Sequence, residues 1–320
     1  MTDNTADFDL IVLGAGSAGL GLSLALARIK LRVLLIDKTP ADVGGECLNS
    51  GCVPSKALIH ASRQVHQARQ AAQFGVQVSG PADMARVMDY VQSCQDIIRH
   101  HENPEYLREL GISVETGRPK FVGDHAIELN GRTYRGRKLV VATGSRPRPL
   151  RVPGAEQVRL YDNQHVWDLR QLPPRLLVVG GGPNGVELAQ AMQRLGAQVT
   201  VVHRGTTILE KEDPTISAVL LARLRAEGLT FHLGAELTSF SGPNEALVTP
   251  TDGEPFAVGF DVVYVAIGRE VSFDESLQLE KAGIEVDEHG HIRLDEHLQT
   301  TNPDIFVAGD AANSLQFSHG

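Results

Sequence analysis

The sequence of 320 residues is poor in cysteine and has no excess of basic charge. Three cysteines are too few to cross-link a secreted chain of this length, so a disulfide scaffold is excluded. The 39 acidic and 30 basic residues give a net charge of -9, which repels a polyphosphate backbone and argues against a nucleic-acid partner. Hydrophobic residues at 42% and 32 glycines against 16 prolines are ordinary values, which exclude fibrous and disordered classes.

Long uninterrupted apolar segments are also lacking. The leader, residues 1–9, is polar and has no apolar core of the kind found in signal peptides, which predicts a cytoplasmic protein. Residues 10–27 carry no charge, but glycines interrupt them and the segment starts like a strand, so we predict no membrane span and no membrane partner.

Two segments of the chain share one order of predicted elements: a short apolar strand, a glycine-rich turn, a helix and a second buried strand. The first covers residues 9–36, with the turn at 14–19 (GAGSAG), and the second covers 176–202, with the turn at 180–185 (GGGPNG). This order is typical of βαβ units with parallel strands. A chain of this length also exceeds the ~150-residue prior for one domain, so we predict an α/β protein with two such domains.

The first turn predicts a dinucleotide site. Gly14 would make the turn, Gly16 would let the backbone meet a pyrophosphate, and Gly19 would allow close helix packing. Asp37 ends the next predicted strand, where a carboxylate can accept hydrogen bonds from ribose hydroxyls. The alternative is a merely tight turn between strand and helix.

The second turn has the same context, with Gly180, Gly182 and Gly185 as its glycines. His203 stands at the strand end in place of an acid, and Arg204 follows it. Imidazole and guanidinium suit a ribose phosphate, whereas a carboxylate would favour an unmodified ribose, so we predict NADP rather than NAD. The alternative is that both side chains are solvated.

Cys47 and Cys52 form a C-x-x-x-x-C pair. In one regular helix their Cα atoms would lie about 8 to 9 Å apart, beyond the ~7 Å limit for a disulfide, so a bridge requires a distorted helix start. Glycines and Pro54 around the pair supply that freedom. Such a pair in a cytosolic protein is catalytic or metal-binding more often than structural, and no further ligand is spaced nearby for zinc, which favours redox activity and no metal site.

The cysteine segment, residues 44–56 (GGECLNSGCVPSK), resembles the active-site signature of the FAD-dependent pyridine nucleotide-disulfide oxidoreductases. This family includes dihydrolipoamide dehydrogenase, glutathione reductase and mercuric reductase. Residues 141–147 (VATGSRP), 264–269 (YVAIGR) and 301–310 (TNPDIFVAGD) match further family landmarks in family order, so the resemblance covers the whole chain. The Pro-Ser-Lys ending of the redox motif is closer to the lipoamide and mercuric branches than to glutathione reductase.

The resemblance implies a role for each matching residue. Cys52 would lie against the flavin ring as the charge-transfer thiol, and Cys47 would be the exposed thiol that meets substrate. Lys56 would be buried beside the flavin and paired with Glu187, since a buried lysine needs an acidic partner. Asp310 would bond the flavin's ribitol chain. Further cofactor contacts are expected from Lys38, Gly45, Thr143, Gly144, Ser145 and Gly268.

The resemblance also implies an FAD domain with a second, Rossmann-like NAD(P) domain inserted into it, both doubly wound. We expect residues 1–150 and 273–320 to form the FAD domain and residues 151–272 the NAD(P) domain, with a proline-rich linker at 146–154. Family members continue into an interface domain that supplies acid-base residues to the partner subunit. No His-Pro motif occurs here, so we expect a fragment of a longer, homodimeric protein that lacks this domain.

The implied function is a relay of electrons between NAD(P)H, FAD and a Cys47–Cys52 disulfide, ending on a small disulfide, thiol or metal-thiol substrate. The alternative is a noncatalytic FAD-binding fragment. One residue departs from the family pattern, because Glu46 replaces the usual threonine before the first cysteine. Its negative charge would raise the pKa of the Cys47 thiol, with an open effect on reactivity.

Overall fold

A computed structural model describes residues 6–271 and 273–313. The first five residues of the polar leader and the last seven of the predicted return segment lie outside the described residues. The chain divides into two compact units, each assembled from separate stretches. The first unit comprises Met1–Asn49, Gln95–Arg146 and Arg269–Gly320, and the second comprises Ser50–Cys94 and Pro147–Gly268.

The helices are α1 (Ser17–Arg28), α2 (Gly45–Asn49), α3 (Cys52–Gln70), α4 (Met84–Arg99), α5 (Pro104–Glu109), α6 (Pro183–Leu195) and α7 (Pro214–Ala226). The strands are β1 (Phe8–Leu13), β2 (Val33–Asp37), β3 (Ser113–Thr116), β4 (Lys120–Gly123), β5 (Ala126–Leu129), β6 (Arg132–Val141), β7 (Arg146–Pro147), β8 (Leu160–Tyr161), β9 (Arg175–Val179), β10 (Gln198–His203), β11 (Thr230–Leu233), β12 (Ala235–Gly242), β13 (Glu245–Pro250), β14 (Phe256–Gly259), β15 (Val262–Val265), β16 (Arg269–Glu270) and β17 (Ile305–Val307).

The first unit is built on a parallel sheet in the order β3-β2-β1-β6-β17. Its central strands carry apolar runs at residues 10–13, 33–36 and 139–141, and Ile11, Leu34 and Leu139 are fully buried. Strand β6 serves two sheets, because its first residues pair antiparallel with β5 and its later residues pair parallel with β1 and β17. The carboxyl ends of the parallel strands share one edge, which is where such sheets bind ligands.

The second unit contains a parallel sheet in the order β11-β10-β9-β15-β8 and a separate antiparallel sheet, β12-β13-β14. Val178 and Val201 lie in the apolar core that also takes the inner face of α6. The parallel sheet confirms the second predicted βαβ unit and the α/β, Rossmann-like fold class. The antiparallel sheet was not predicted.

The helical segment 50–94 packs within the second unit. Arg69 donates from Nη1 to the Arg194 carbonyl at the end of α6 at 2.6 Å, and the Ala82 N–H donates to the Leu195 carbonyl at 2.8 Å. Ala57 and Leu58 of α3 join the same apolar core. The compact units therefore have bounds that differ from those of the predicted domains. The reason is that apolar residues of α3 pack against α6 in the second unit.

The two cysteines of the pair lie on separate helices. Helix α2 ends at Asn49 and α3 begins at Cys52, with Gly51 at the N-cap in a non-helical conformation (φ -117°, ψ -113°). The distortion that the spacing requires is thus a complete break between helices. No helix within the described ranges is long and apolar enough to cross a membrane.

Candidate functional site

The turn at 14–19 is shaped by close backbone contact. Gly14 has a φ of +110°, and a Cβ placed on it would lie 2.2 Å from the Ala142 carbonyl oxygen. A Cβ on Gly19 would lie 1.9 Å from the Gly14 carbonyl oxygen, so α1 can begin directly against the end of β1 only with glycine there. Within the described residues no side chain caps α1, and its first turn contains no acid. The N-terminus of α1 therefore presents N–H groups and positive potential to an anion.

Asp37 lies at the end of β2, next to this turn. Its Oδ2 accepts from the Ala15 N–H at 2.8 Å and its Oδ1 from the Lys38 N–H at 2.7 Å. Burial raises the pKa of the Asp37 carboxyl, while the two backbone donors oppose that shift. The carboxylate is held in one orientation, and each oxygen retains a lone pair that can accept from a ribose hydroxyl.

A polar network lies at the ends of β6 and β17. Ser145 Oγ donates to Asp310 Oδ2 at 2.5 Å. Arg269 donates from Nε to Ser145 Oγ at 2.7 Å and from Nη2 to the Ser145 carbonyl at 2.9 Å. Thr143 is exposed, and Gly144 has a φ of +74°. These contacts fix the predicted ribitol-binding carboxylate of Asp310 relative to the loop after β6.

Arg269 also pairs with Glu46, the residue that departs from the family pattern. Nη1 donates to Glu46 Oε1 at 2.7 Å, and Nη2 lies against Oε2. The cation opposes the charge of Glu46, which weakens the predicted effect of that charge on Cys47. Sequence reasoning missed this pair, since the two residues are 223 positions apart. The only sequence feature that pointed to this pair was the acidic residue at position 46, where the family has threonine.

Cys47 is half-buried on α2, a helix of one turn that needs support from outside. Gln95 Nε2 donates to the carbonyls of Leu48 and Asn49 at 2.9 and 3.0 Å, and Arg99 donates to the Asn49 side chain at 2.9 Å. These supporting residues were also missed by the sequence analysis. At the other end of α2, a Cβ on Gly45 would lie 2.4 Å from the Gly16 Cα, so α2 begins beside the first glycine turn.

In the second unit, Cys52 is half-buried at the start of α3, and Ser55 Oγ donates to its carbonyl at 3.2 Å. Lys56 Nζ donates to both carboxylate oxygens of Glu187, at 2.9 and 2.7 Å. The side chains of Lys56 and Glu187 are 60% and 40% exposed. Lys56 has the acidic partner that the resemblance implies, and its side chain is exposed rather than buried.

The second glycine turn repeats the geometry of the first, but its strand end is different. The His203 ring packs on Gly181, where a Cβ would lie 2.7 Å from Cδ2, and its side chain is 13% exposed. Burial lowers the pKa of His203, which favours the uncharged ring, while the nearby Glu210 opposes this shift. Arg204 is exposed, and Glu210 Oε2 lies 3.6 Å from His203 Nε2.

The residues of the first unit fit a bound FAD. Among the described residues, a Cβ on Gly16 would approach nothing closer than the Gly45 Cα at 3.7 Å, and one on Gly144 would meet nothing within 4 Å. The turn is therefore open where a diphosphate would lie, beside an uncapped helix N-terminus. Asp37 and Asp310 provide acceptors for the hydroxyl groups of a dinucleotide.

The fold and the paired glycine turns define a protein with two dinucleotide-binding units. A family model described as pyridine nucleotide-disulphide oxidoreductase matches residues 8–320. The chain belongs to this family, which confirms the resemblance seen in the motifs.

Named relatives come from both expected branches. A dihydrolipoyl dehydrogenase of Thermus scotoductus is 33% identical over 318 residues, which are 98% of this chain and 68% of the relative. A mercuric reductase of Bacillus cereus is 30% identical over 316 residues, 97% of this chain and 49% of the relative. The HOCl-induced flavoprotein disulfide reductase RclA from Escherichia coli superposes with a TM-score of 0.83 at 28% identity, covering 98% of this chain and 68% of RclA. This chain thus spans about half to two thirds of the lengths of these proteins.

Proposed function

We propose that this protein is a flavoprotein oxidoreductase that passes electrons between NADPH and a disulfide or thiol-type substrate through FAD and the Cys47–Cys52 pair. Family membership and the named relatives support FAD and a pyridine nucleotide as cofactors. The observation that carries the proposal is the edge of the first sheet. There the open glycine turn, Asp37, the Ser145–Asp310 pair and the helix with Cys47 lie together.

When bound, FAD supplies the two-electron redox chemistry. Asp37 would accept from the adenosine ribose, and Asp310, held by Ser145, would accept from the ribitol chain. The N-terminus of α1 would bind the diphosphate. Cys47 and Cys52 would take up two electrons and two protons as their disulfide opens to two thiols, and Cys47 would exchange with substrate. Lys56, held by Glu187, would place its cation beside the flavin.

The choice of NADP rests on Arg204 rather than on His203. The His203 ring is packed on the glycine turn and its burial favours the uncharged form, whereas the exposed Arg204 guanidinium can donate to a phosphate on the ribose. His203 shapes the turn that receives the diphosphate.

The test is the absorbance spectrum of the protein loaded with FAD. In C47S, Cys52 is left as a thiolate beside the flavin, and we expect a long-wavelength charge-transfer band at alkaline pH without reductant. C52S should lack this band even when reduced. C94S is the matched control, because Cys94 lies on α4, half-buried against the apolar core of the second unit.

Two outcomes would contradict the proposal: no flavin retained by folded wild-type protein after reconstitution, or no band in FAD-loaded C47S. A noncatalytic FAD-binding module is the alternative. It would give flavin absorbance, but no oxidation of NADPH with lipoamide, oxidised glutathione or mercuric ion as acceptor. The acceptor with which NADPH oxidation continues would identify the class of substrate.

A further inference from the structure

Charges of both signs surround the His203 ring at the end of β10. The exposed Arg204 follows it in the chain, and Glu210 Oε2 lies 3.6 Å from its Nε2. Within the part of the chain that the structure describes, this nitrogen is buried and has no hydrogen-bond partner. Burial lowers the pKa of His203, and the charges of Glu210 and Arg204 act on that pKa in opposite directions, because both lie near the ring.

Glu210 is placed beside the second glycine turn by anchored backbone. The preceding residue, Leu209, donates its N–H to the Gly181 carbonyl at 2.9 Å, and the Gly234 N–H donates to the Gly205 carbonyl at 2.7 Å. The Glu210 carboxylate lies over Gly205, where a Cβ would be 2.1 Å from Oε1. The segment that carries Glu210 is therefore tied both to the turn and to the strand next to β10.

The end of this strand is where a dinucleotide ribose is recognised. The coenzyme NADP carries a phosphate on that ribose, with a charge of about -1.5 to -2 at neutral pH, whereas NAD carries an uncharged hydroxyl. The Arg204 guanidinium attracts such a phosphate, and a carboxylate at Glu210 repels it. A ribose hydroxyl meets no such repulsion, since a carboxylate can accept a hydrogen bond from it.

We propose that Glu210 is a specificity-determining residue that weakens the binding of NADP(H) and so limits the preference that Arg204 provides. The inference rests on the proposed coenzyme site and deepens it by a second determinant. Specificity is a difference between two affinities, so a group that repels one coenzyme changes the choice as effectively as a group that attracts it.

The experiment is isothermal titration calorimetry of the full chain with NADP⁺ and NAD⁺. These oxidised coenzymes carry the same ribose groups as NADPH and NADH and cannot reduce the flavin. E210Q keeps the size of the side chain and removes its charge. The dissociation constant for NADP⁺ should fall about fivefold, and that for NAD⁺ should change by less than about twofold. Raising the salt concentration should shrink the gain, because salt screens exposed charges.

E212Q is the matched control, because Glu212 is exposed in the same segment and its replacement removes the same charge. It should leave the ratio of the two dissociation constants within about twofold of wild type. An unchanged NADP⁺ affinity in E210Q, or equal gains in E210Q and E212Q, would overturn the inference and leave the proposed function standing. Thermal melting confirms folding, and E210A is used if E210Q does not fold. Wild-type protein that binds neither coenzyme would contradict the proposed function and this inference with it.

Discussion

The two glycine turns of this chain are nearly identical in backbone geometry. Gly14 and Gly180 have φ values of +110° and +118°, and a Cβ on either would lie 2.2 Å from a carbonyl oxygen of a neighbouring strand end. Gly19 and Gly185 complete the match, since a Cβ on them would lie 1.9 and 2.2 Å from the carbonyl oxygens of Gly14 and Gly180. Each turn thus brings its helix directly against its own sheet.

The surroundings of the two turns differ. In α1 the buried residues are Gly19, Leu20 and Ser23, whereas α6 buries seven residues along its length and packs against α3. The strand after α1 ends in a fixed carboxylate, and the strand after α6 ends in a packed imidazole whose burial favours the uncharged form. The glycine pattern therefore determines the backbone of the turn. The depth of helix burial and the side chain at the strand end depend on residues outside the pattern.

The largest expected effect comes from filling one turn at a time. G19A forces a Cβ onto the Gly14 carbonyl, and we expect loss of FAD binding while NADPH binding to the second unit persists. G185A should lose NADPH binding while FAD binding to the first unit persists. Flavin absorbance and quenching of NADPH fluorescence measure the two sites separately.

G21A is the matched control for the turn variants. Gly21 lies within α1, and a Cβ on it would meet nothing within 4 Å among the described residues. It should bind both nucleotides normally and gain about 0.5–1 kcal/mol in stability, because alanine favours the helix. Loss of both sites in G19A, with G21A intact, would show that the units are not separable.

A second prediction concerns the ion pair between Arg194, on α6, and Glu227, at the end of α7. Glu227 is 4% exposed and accepts from Arg194 Nε at 2.8 Å. Burial would raise the pKa of Glu227, but Arg194, Gln190 and Arg223 lower it to about 2 from an ordinary 4.5. The pair therefore contributes stability that is fully present above pH 4.5 and is lost as the pH falls toward 2.

E227Q should lower the free energy of unfolding at pH 7 by about 3 kcal/mol and flatten this acid dependence. Urea unfolding at several pH values measures both quantities. R223A is the control, because the Arg223 side chain is 57% exposed and should cost under about 1 kcal/mol. Equal losses in the two variants would contradict the importance of burial.

The smallest predicted effect concerns Arg204, which follows the end of β10, and the preference for NADP over NAD. R204A should weaken NADPH binding about ten- to hundredfold and NADH binding much less, because a charge-assisted contact to phosphate contributes roughly 1.5–3 kcal/mol. Titration with both coenzymes gives the ratio. Equal losses, or none, would remove the preference for NADP.

The local features of the fold could be predicted from the sequence, because glycine turns and apolar strands depend on neighbouring residues. Helix α6 (Pro183–Leu195) lies within the second predicted unit, between its glycine turn and its second strand, and the helix break before Cys52 follows the glycines that indicated it. The antiparallel sheet β12-β13-β14 was missed, although the burial of β13 alternates along the strand.

Long-range polar contacts were beyond the sequence analysis for a different reason. The partner of Glu46 is set by where the chain re-enters the first unit, which begins at Arg269 and which no spacing records. The same applies to Gln95, whose side chain on α4 supports α2 from 46 and 47 positions away.

Strand β6 has a consequence for the order of folding. Residues 139–141 pair on one side with β1 and on the other with β17, whose residues 305–307 are among the last described. A contact of such long sequence separation forms slowly, because the chain between the partners must first be closed into a loop. On a ribosome, the first sheet would have an open edge beside β6 until residues 305–307 have emerged. Pulsed hydrogen exchange during refolding should find the amides of β17 protected last, and early protection there would contradict this order.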